Sequence, residues 1–220
     1  MTNKTYAVLT GDLVKSRRLQ SGDLERARRA VLEALEQLPQ AGVEGKAEFF
    51  RGDSWQALLS RPEQSLRAAI YVRAALRGLD LPEARADSRV AIGIGPVGRI
   101  EPSRISLSTG EAFQRSGKAL DELGATSRLA IAFPEGSVPV GPWVEVALGL
   151  VDRLVRGWKP RQAQAILVLL AKPGASHAEV AEQLDPPVTR QAVTKALAGA
   201  GWDAVEAAIA LFEQKMGQPK

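Results

Sequence analysis

Two strand-like runs end in the same dipeptide, and that repetition constrains the fold more than any other feature of the chain. Tyr6 to Thr10 runs into Gly11-Asp12, and the stretch Glu48 to Leu59, EFFRGDSWQALL, carries Gly52-Asp53 between two apolar runs. Gly-Asp between strand-like segments reads as a hairpin tip. Taken singly, each pair is equally an ordinary turn whose Asp hydrogen-bonds its own backbone. Taken together with a helix between them, they give the order strand, helix, strand, strand. In the split βαβ arrangement the third strand lies between the first two and antiparallel to both. Asp12 and Asp53 then converge at one edge of the sheet. Two carboxylates so placed repel each other or share a cation, and hard oxygen ligands of this kind suit Mg²⁺ or Mn²⁺ bridging to a phosphate.

The pattern continues as an α+β unit. A helix from Ser21 or Gly22 to Leu38 carries the stripe Leu24, Ala27, Val31, Leu35 and Leu38, with Arg26, Arg28 and Arg29 as a solvated face. A second helix is expected over 62–79 behind the capping-box spacing of Ser60 and Glu63, and a third over 110–123 behind that of Ser108 and Glu111. Arg89 to Ile94 and Arg128 to Phe133 read as strands. Residues 99–107 stay open between a flap and a short strand pair.

From Pro134 to Pro142 the chain becomes rich in proline and glycine, which marks a boundary between domains 1–137 and 144–220. Beyond it only helical periods occur, over 144–157, 160–171, 176–184, 189–200 and 202–216. The third and fourth of these are joined by Asp185-Pro186-Pro187-Val188, a length that fits a helix-turn-helix, with Ser176 and Glu179 capping the first and Thr189 the second. Thr189, Arg190, Gln191, Thr194 and Lys195 fall where recognition helices read duplex DNA, Arg suiting guanine and Gln adenine. The alternative is a helix pair used for packing or dimerisation. Trp158 and Trp202 bracket this unit as core residues, and His177 is given no role.

Net charge is +4 with a sequence pI near 9.6, which allows a phosphate or nucleic-acid partner without demanding one. The absence of cysteine excludes disulfides and thiolate metal sites. MTNKTYAVLTGD has no apolar core of signal-peptide length, and the longest apolar run, Ala165 to Ala171, is too short to span a bilayer. The expectation is a cytoplasmic protein with no membrane partner. Leu13, Val14, Lys15, Ser16 and Arg17 form either an anion-binding nest of amides among cationic side chains or simply a basic loop.

AVLTGDLVKS resembles the first-strand motif of class III nucleotidyl cyclase catalytic domains, and FRGDSWQALL their metal-binding hairpin. RVAIGIG is similar to the following central strand, and STGEAFQRSGKALDEL to the helix bearing the transition-state residues. The resemblance implies metal positions at Asp12 and Asp53, a phosphate cradle from the main chain of Leu13 to Ser16, and a homodimer, because cyclase sites form between subunits. It also shows departures. The purine-selecting Lys falls on Phe49, the second purine contact on Leu107, the transition-state Asn on Gln114 and the Arg on Lys118. Lys lacks the planar fork that Arg offers to phosphate, so Gln114 and Lys118 are catalytic positions only if activity survives.

Over its full length the chain resembles the SatD-like family of bacterial proteins, through TGDLVKSR, GDSWQ, the STGEAFQRSGKALDEL helix and the C-terminal helix pair. The implied protein is a transcriptional regulator. A degenerate cyclase-like domain binds a nucleotide or phosphorylated small molecule with a divalent metal, coupled to a DNA-binding helix-turn-helix. The alternatives are an active nucleotidyl cyclase or nucleotidyltransferase of altered specificity, and a protein-interaction module.

Overall fold

The computed structural model describes residues 4–38, 41–50, 52–81, 85–137 and 140–218. Arg51 at the hairpin tip and residues 138 and 139 of the expected boundary lie outside the described set. The sheet strands are β1 (Thr5–Leu13), β2 (Val43–Phe50), β3 (Ser54–Leu59), β4 (Ser88–Pro96) and β5 (Leu129–Ala132), in the order β2-β3-β1-β4-β5. β3 lies between β1 and β2 and antiparallel to both, as the Gly-Asp topology requires; β4 is antiparallel to β1, and β5 parallel to β4.

One expectation needs correction. Gly11-Asp12 is not a turn after the first strand, because β1 continues to Leu13. The reason is tertiary: β3 and β4 offer ladder partners on both sides, so Asp12 stands opposite Ser54 on one flank and Arg89 on the other. Gly11 is required there for space. A Cβ at that position would lie 2.5 Å from the Trp55 ring and 2.6 Å from the Arg89 carbonyl.

Side chains alternate across the pleat. Ala7 and Leu9 share one face with Trp55, Ala57, Val90 and Ile92, packed on α1 (Ser21–Glu36) and α2 (Ser65–Arg77). Val8 and Leu58 lie on the other, against Ile105 and against Ala112 and Phe113 of α3 (Glu111–Asp121). Residues 99–107 form a flap, with a 3₁₀ turn at Ile105–Leu107, fastened to β2 by a Lys46 N–H bond to Pro102 O (3.0 Å) and a Ser106 N–H bond to the Glu48 carboxylate (2.6 Å).

Two of the expected capping boxes do not form, because tertiary partners take the serines. Ser60 Oγ donates to Gly42 O at 3.0 Å, and Ser108 Oγ accepts from Glu101 N at 2.8 Å. A 3₁₀ turn, Pro62–Gln64, precedes α2 instead, and Gly110 precedes α3.

The remaining helices are α4 (Trp143–Gly157), α5 (Pro160–Ala171), α6 (His177–Gln183), α7 (Arg190–Ala200) and α8 (Trp202–Met216). Here the capping signals hold: Ser176 and Glu179 complete their box, and Thr189 Oγ1 accepts from Ala192 N. These helices share one apolar cluster with the sheet, through Ile70 and Leu76 of α2 and Ile166, Val205 and Phe212 beyond. Trp158 and Trp202 lie in it, 1% and 4% exposed, so neither is available to stack on a base.

α2 is buried on nearly every side, and its arginines explain how charge survives there. Arg67 forms a two-pronged pair with Glu213 of α8 (2.6 and 3.1 Å), and Arg77 Nη2 donates to Trp158 O at 2.5 Å. Arg73, fully buried, holds Asp87 through Nε and Nη2 (2.9 and 3.0 Å), and its Nη1 lies 2.8 Å from Asp152 of α4. Arg67 and Arg73 meet carboxylates, which is the condition for burying a charge at all; among the described residues Arg77 meets only a carbonyl. Among the described residues no helix is long and apolar enough to cross a membrane.

Candidate functional site

The end of β1 and the β2–β3 hairpin are tied together where the two Gly-Asp pairs meet. Leu13 N–H donates to Asp53 O at 3.1 Å, and Val14 N–H to Asp87 O at 2.9 Å. Lys15 then adopts a left-handed conformation (φ 56°, ψ 34°), and a 3₁₀ turn, Ser16–Arg18, carries the chain away. Among the described residues Lys15 is the one non-glycine with positive φ. Such a conformation costs roughly 1–2 kcal/mol, and the turn is held by an Arg18 N–H bond to Lys15 O at 2.8 Å.

The result is a cleft of about 400 Å³ lined by Asp12, Asp53, Arg89 and the loop from Leu13 to Arg18. Every residue expected at the metal and phosphate positions, Asp12, Leu13, Val14, Lys15, Ser16, Arg17 and Asp53, therefore lines one site. Two details of that expectation change. The amides of Leu13 and Val14 are engaged by Asp53 O and Asp87 O, so these two cannot cradle a phosphate; only the turn from Lys15 onward can. And the cation that answers Asp12 is Arg89.

Arg89 meets Asp12 across the β1–β4 ladder with both prongs, Nε to Oδ1 at 2.9 Å and Nη2 to Oδ2. These hydrogen bonds hold the guanidinium above its usual range against its burial, and the charges of Asp12 and Asp53 add to the effect. On the hairpin side, Ser16 Oγ donates to Asp53 Oδ2 at 2.5 Å. Sequence reasoning placed Arg89 in a strand but gave it no role. The available signal was an opposite charge directly across an antiparallel pair, which becomes readable only once the register is known.

The donor set does not fit a resident Mg²⁺ or Mn²⁺ as it stands. Asp12 has both oxygens engaged by Arg89, Asp53 has one engaged by Ser16, and the described residues contain no group of three or more His, Cys, Asp or Glu that could hold a metal ion.

No family model and no curated protein sequence matches the chain, so the SatD-like resemblance rests on the motifs quoted above. Structural neighbours are nucleotidyl cyclase domains. A dimeric guanylyl cyclase domain of the RhoGC fusion protein from the aquatic fungus Blastocladiella emersonii aligns with 55% of this chain and 74% of its own, at 14% identity and TM-score 0.43. The guanylate cyclase domain of RhGC from Catenaria anguillulae, solved with GTP, gives 55% and 74%, 13% identity and TM-score 0.42. The active GGEEF domain of a diguanylate cyclase from Vibrio cholerae gives 61% and 85%, 10% identity and TM-score 0.43.

The other expected residues lie elsewhere. Gln114 and Lys118 sit on the exposed side of α3, with Lys118 Nζ 3.8 Å from Glu122, and neither lines the cleft. Leu107 is exposed, while Phe49 packs on the core and lies under the Arg28 guanidinium. On α7, Val193, Leu197 and Ala200 face inward. Arg190, Gln191, Thr194 and Lys195 all face outward around a shallow depression. His177, which was given no role, meets Thr194 Oγ1 through Nδ1 at 2.8 Å.

Proposed function

We propose that the chain binds a nucleotide or another phosphorylated small molecule in the cleft at the end of β1, and that it does so as a regulator rather than a cyclase. The observation that carries this is the cleft's charge arrangement. Lys15, Arg17 and Arg18 are exposed and in no ion pair among the described residues, and they flank an Arg89 fork occupied only by Asp12. A phosphate oxygen pair suits that fork as well as a carboxylate does. An entering phosphate competes with Asp12 for Arg89 while the three free cations neutralise it. Gln114 and Lys118 lie away from the cleft, which supports binding over turnover within one chain.

The test is calorimetric titration of the full chain with ATP and GTP, in EDTA and in Mg²⁺, with product analysis by mass spectrometry. Expected are saturable binding with one component weakened at least tenfold in Arg89→Ala, and no cyclic product. No binding under either condition overturns the reading; cyclic product that disappears in Asp53→Asn replaces it with the cyclase alternative.

A second reading is favoured by α7, whose outward face is the set Arg190, Gln191, Thr194 and Lys195 beside a capped, exposed N-terminus. This supports a helix-turn-helix unit over residues 144–220 that reads duplex DNA as a homodimer. Selection of bound genomic fragments tests it. An enriched motif lost in Arg190→Ala, Gln191→Ala is expected, and the absence of any motif with or without nucleotide makes the helix pair a packing device.

A further inference from the structure

A second, larger cavity of about 650 Å³ opens on the far side of the Lys15 turn, between the sheet unit and α4. Among the described residues its charged lining is wholly cationic. Arg77 comes from the end of α2, Arg85 from the segment before β4 and Arg128 from the residue before β5. Lys15 and Arg18 come from the turn, and Arg153 and Arg156 from the last turns of α4. Of these seven, Arg128 is paired with Asp87, which leaves six without a carboxylate partner among the described residues. Among the described residues no Asp or Glu lines this cavity.

Solvated basic patches are common, and three observations separate this one from them. First, Arg77 is 5% exposed, and among the described residues its Nε has no hydrogen-bond partner. Burial pulls the Arg77 guanidinium below its usual range; Asp87 opposes this, while Arg85, Arg128 and Arg73 add to it. A buried, half-satisfied guanidinium among like charges is costly unless an anion accompanies it. Second, the cavity is built rather than incidental. Arg77, Arg128 and Arg156 are fixed by bonds to Trp158 O, Asp87 and Thr126 O. Lys15, Arg18, Arg85 and Arg153 have no side-chain bond among the described residues and are available to close on a ligand. Third, the left-handed Lys15 stands at the shared lip of this cavity and the β1 cleft, and backbone strain of that kind clusters at binding sites.

From this juxtaposition we infer that the cavity is a binding site for a small anion carrying several linked phosphoryl groups, seated between the β1 turn and α4. Guanidinium forks match phosphoryl oxygens two at a time, and the six unpaired cations exceed what a single phosphate would neutralise. Among the described residues Val14 and Leu19 are the apolar side chains in the lining, so charge rather than apolar contact dominates it. The phosphate chain itself is what the cavity reads, whether it arrives as inorganic triphosphate or on a nucleoside. Because Arg153 and Arg156 belong to α4 and Lys15 and Arg18 to the sheet unit, the bound anion clamps the first C-terminal helix to the end of β1. This site shares Val14, Lys15 and Arg18 with the β1 cleft, but Arg89 belongs only to the cleft and Arg85 and Arg153 only to the cavity, so substitutions there tell the two proposals apart.

The experiment is calorimetric titration of the full chain with inorganic triphosphate, ATP and a short DNA duplex, on the wild type, Arg85→Glu/Arg153→Glu and Arg89→Ala. Both reversed arginines are exposed and have no side-chain bond among the described residues, so the double variant is expected to keep the fold, which circular dichroism checks. Expected are triphosphate binding that weakens steeply with salt, about 10²-fold loss or more in the double variant, and retention in Arg89→Ala. ATP is expected to match triphosphate within about tenfold, since the phosphate chain carries the recognition. Three results overturn the inference. They are no affinity for triphosphate, binding unchanged by the double reversal, and duplex DNA displacing triphosphate from the same arginines, which makes the surface a nucleic-acid patch.

Discussion

Asp87→Asn is the substitution that should cost this protein the most for the smallest change in shape. The Asp87 side chain is 0% exposed and accepts from Arg73 Nε and Nη2 (2.9 and 3.0 Å), from Arg128 Nη1 (2.5 Å) and from Ser88 N (2.8 Å). Asp152 closes the group, with Oδ1 2.8 Å from Arg73 Nη1 and Oδ2 accepting from Arg128 N at 3.1 Å. Two arginines and two aspartates therefore balance. Asn keeps one acceptor for Ser88 but removes the charge, leaving buried Arg73 balanced by Asp152 alone and Arg128 by nothing. Breaking one side of a buried ionic group costs about 3–5 kcal/mol, a large part of the 5–15 kcal/mol typical of a domain.

Urea unfolding followed by tryptophan fluorescence measures the loss. The acid limb gives a second readout. Burial pushes the Asp87 carboxyl up, but Arg73 and then Arg128 outweigh it and hold it below the ordinary carboxylate value. A carboxyl lowered on folding contributes fully above its unfolded value, near 4, and its contribution disappears as the pH falls through the folded value. Asp87→Asn should therefore flatten the acid limb. A loss under about 1 kcal/mol in Asp87→Asn, with an unchanged acid limb, would refute the argument, since a solvated network is worth only that much.

Arg89→Ala should raise affinity for Mn²⁺ from weak to measurable by titration calorimetry, because both Asp12 oxygens become free beside Asp53; unchanged affinity would mean the arginine is not what blocks a cation. Gly93→Ala should destabilise by about 1–3 kcal/mol or more in urea unfolding, since its Cβ would lie 2.2 Å from Ala112 O and 2.4 Å from Ser116 N of α3. Thr189→Ala should cost about 1 kcal/mol through the lost cap of α7, read as a shift in the urea midpoint with an unchanged slope.

The sequence by itself determined the order of the elements and the C-terminal helices, whose boundaries match within one or two residues. Those signals are local. Helical periodicity, the Ser176–Glu179 box and the Thr189 cap all act within one or two turns of chain. It also determined that Asp12 and Asp53 would share an edge, because strand alternation and a hairpin leave little topological choice. Tertiary structure decided whatever needed a partner from far along the chain. Ser60 and Ser108 carry the same capping spacing as Ser176, but Gly42 O and Glu101 N reach them first. Arg89 is 77 residues from Asp12, and nothing short of the strand register makes them neighbours. The seven cations of the cavity come from α2, α4, the β1 turn and two strand approaches. Apart from Lys15 and Arg18 at the candidate anion nest, they read in sequence as ordinary solvated side chains, and only packing α4 against the end of the sheet brings all seven together.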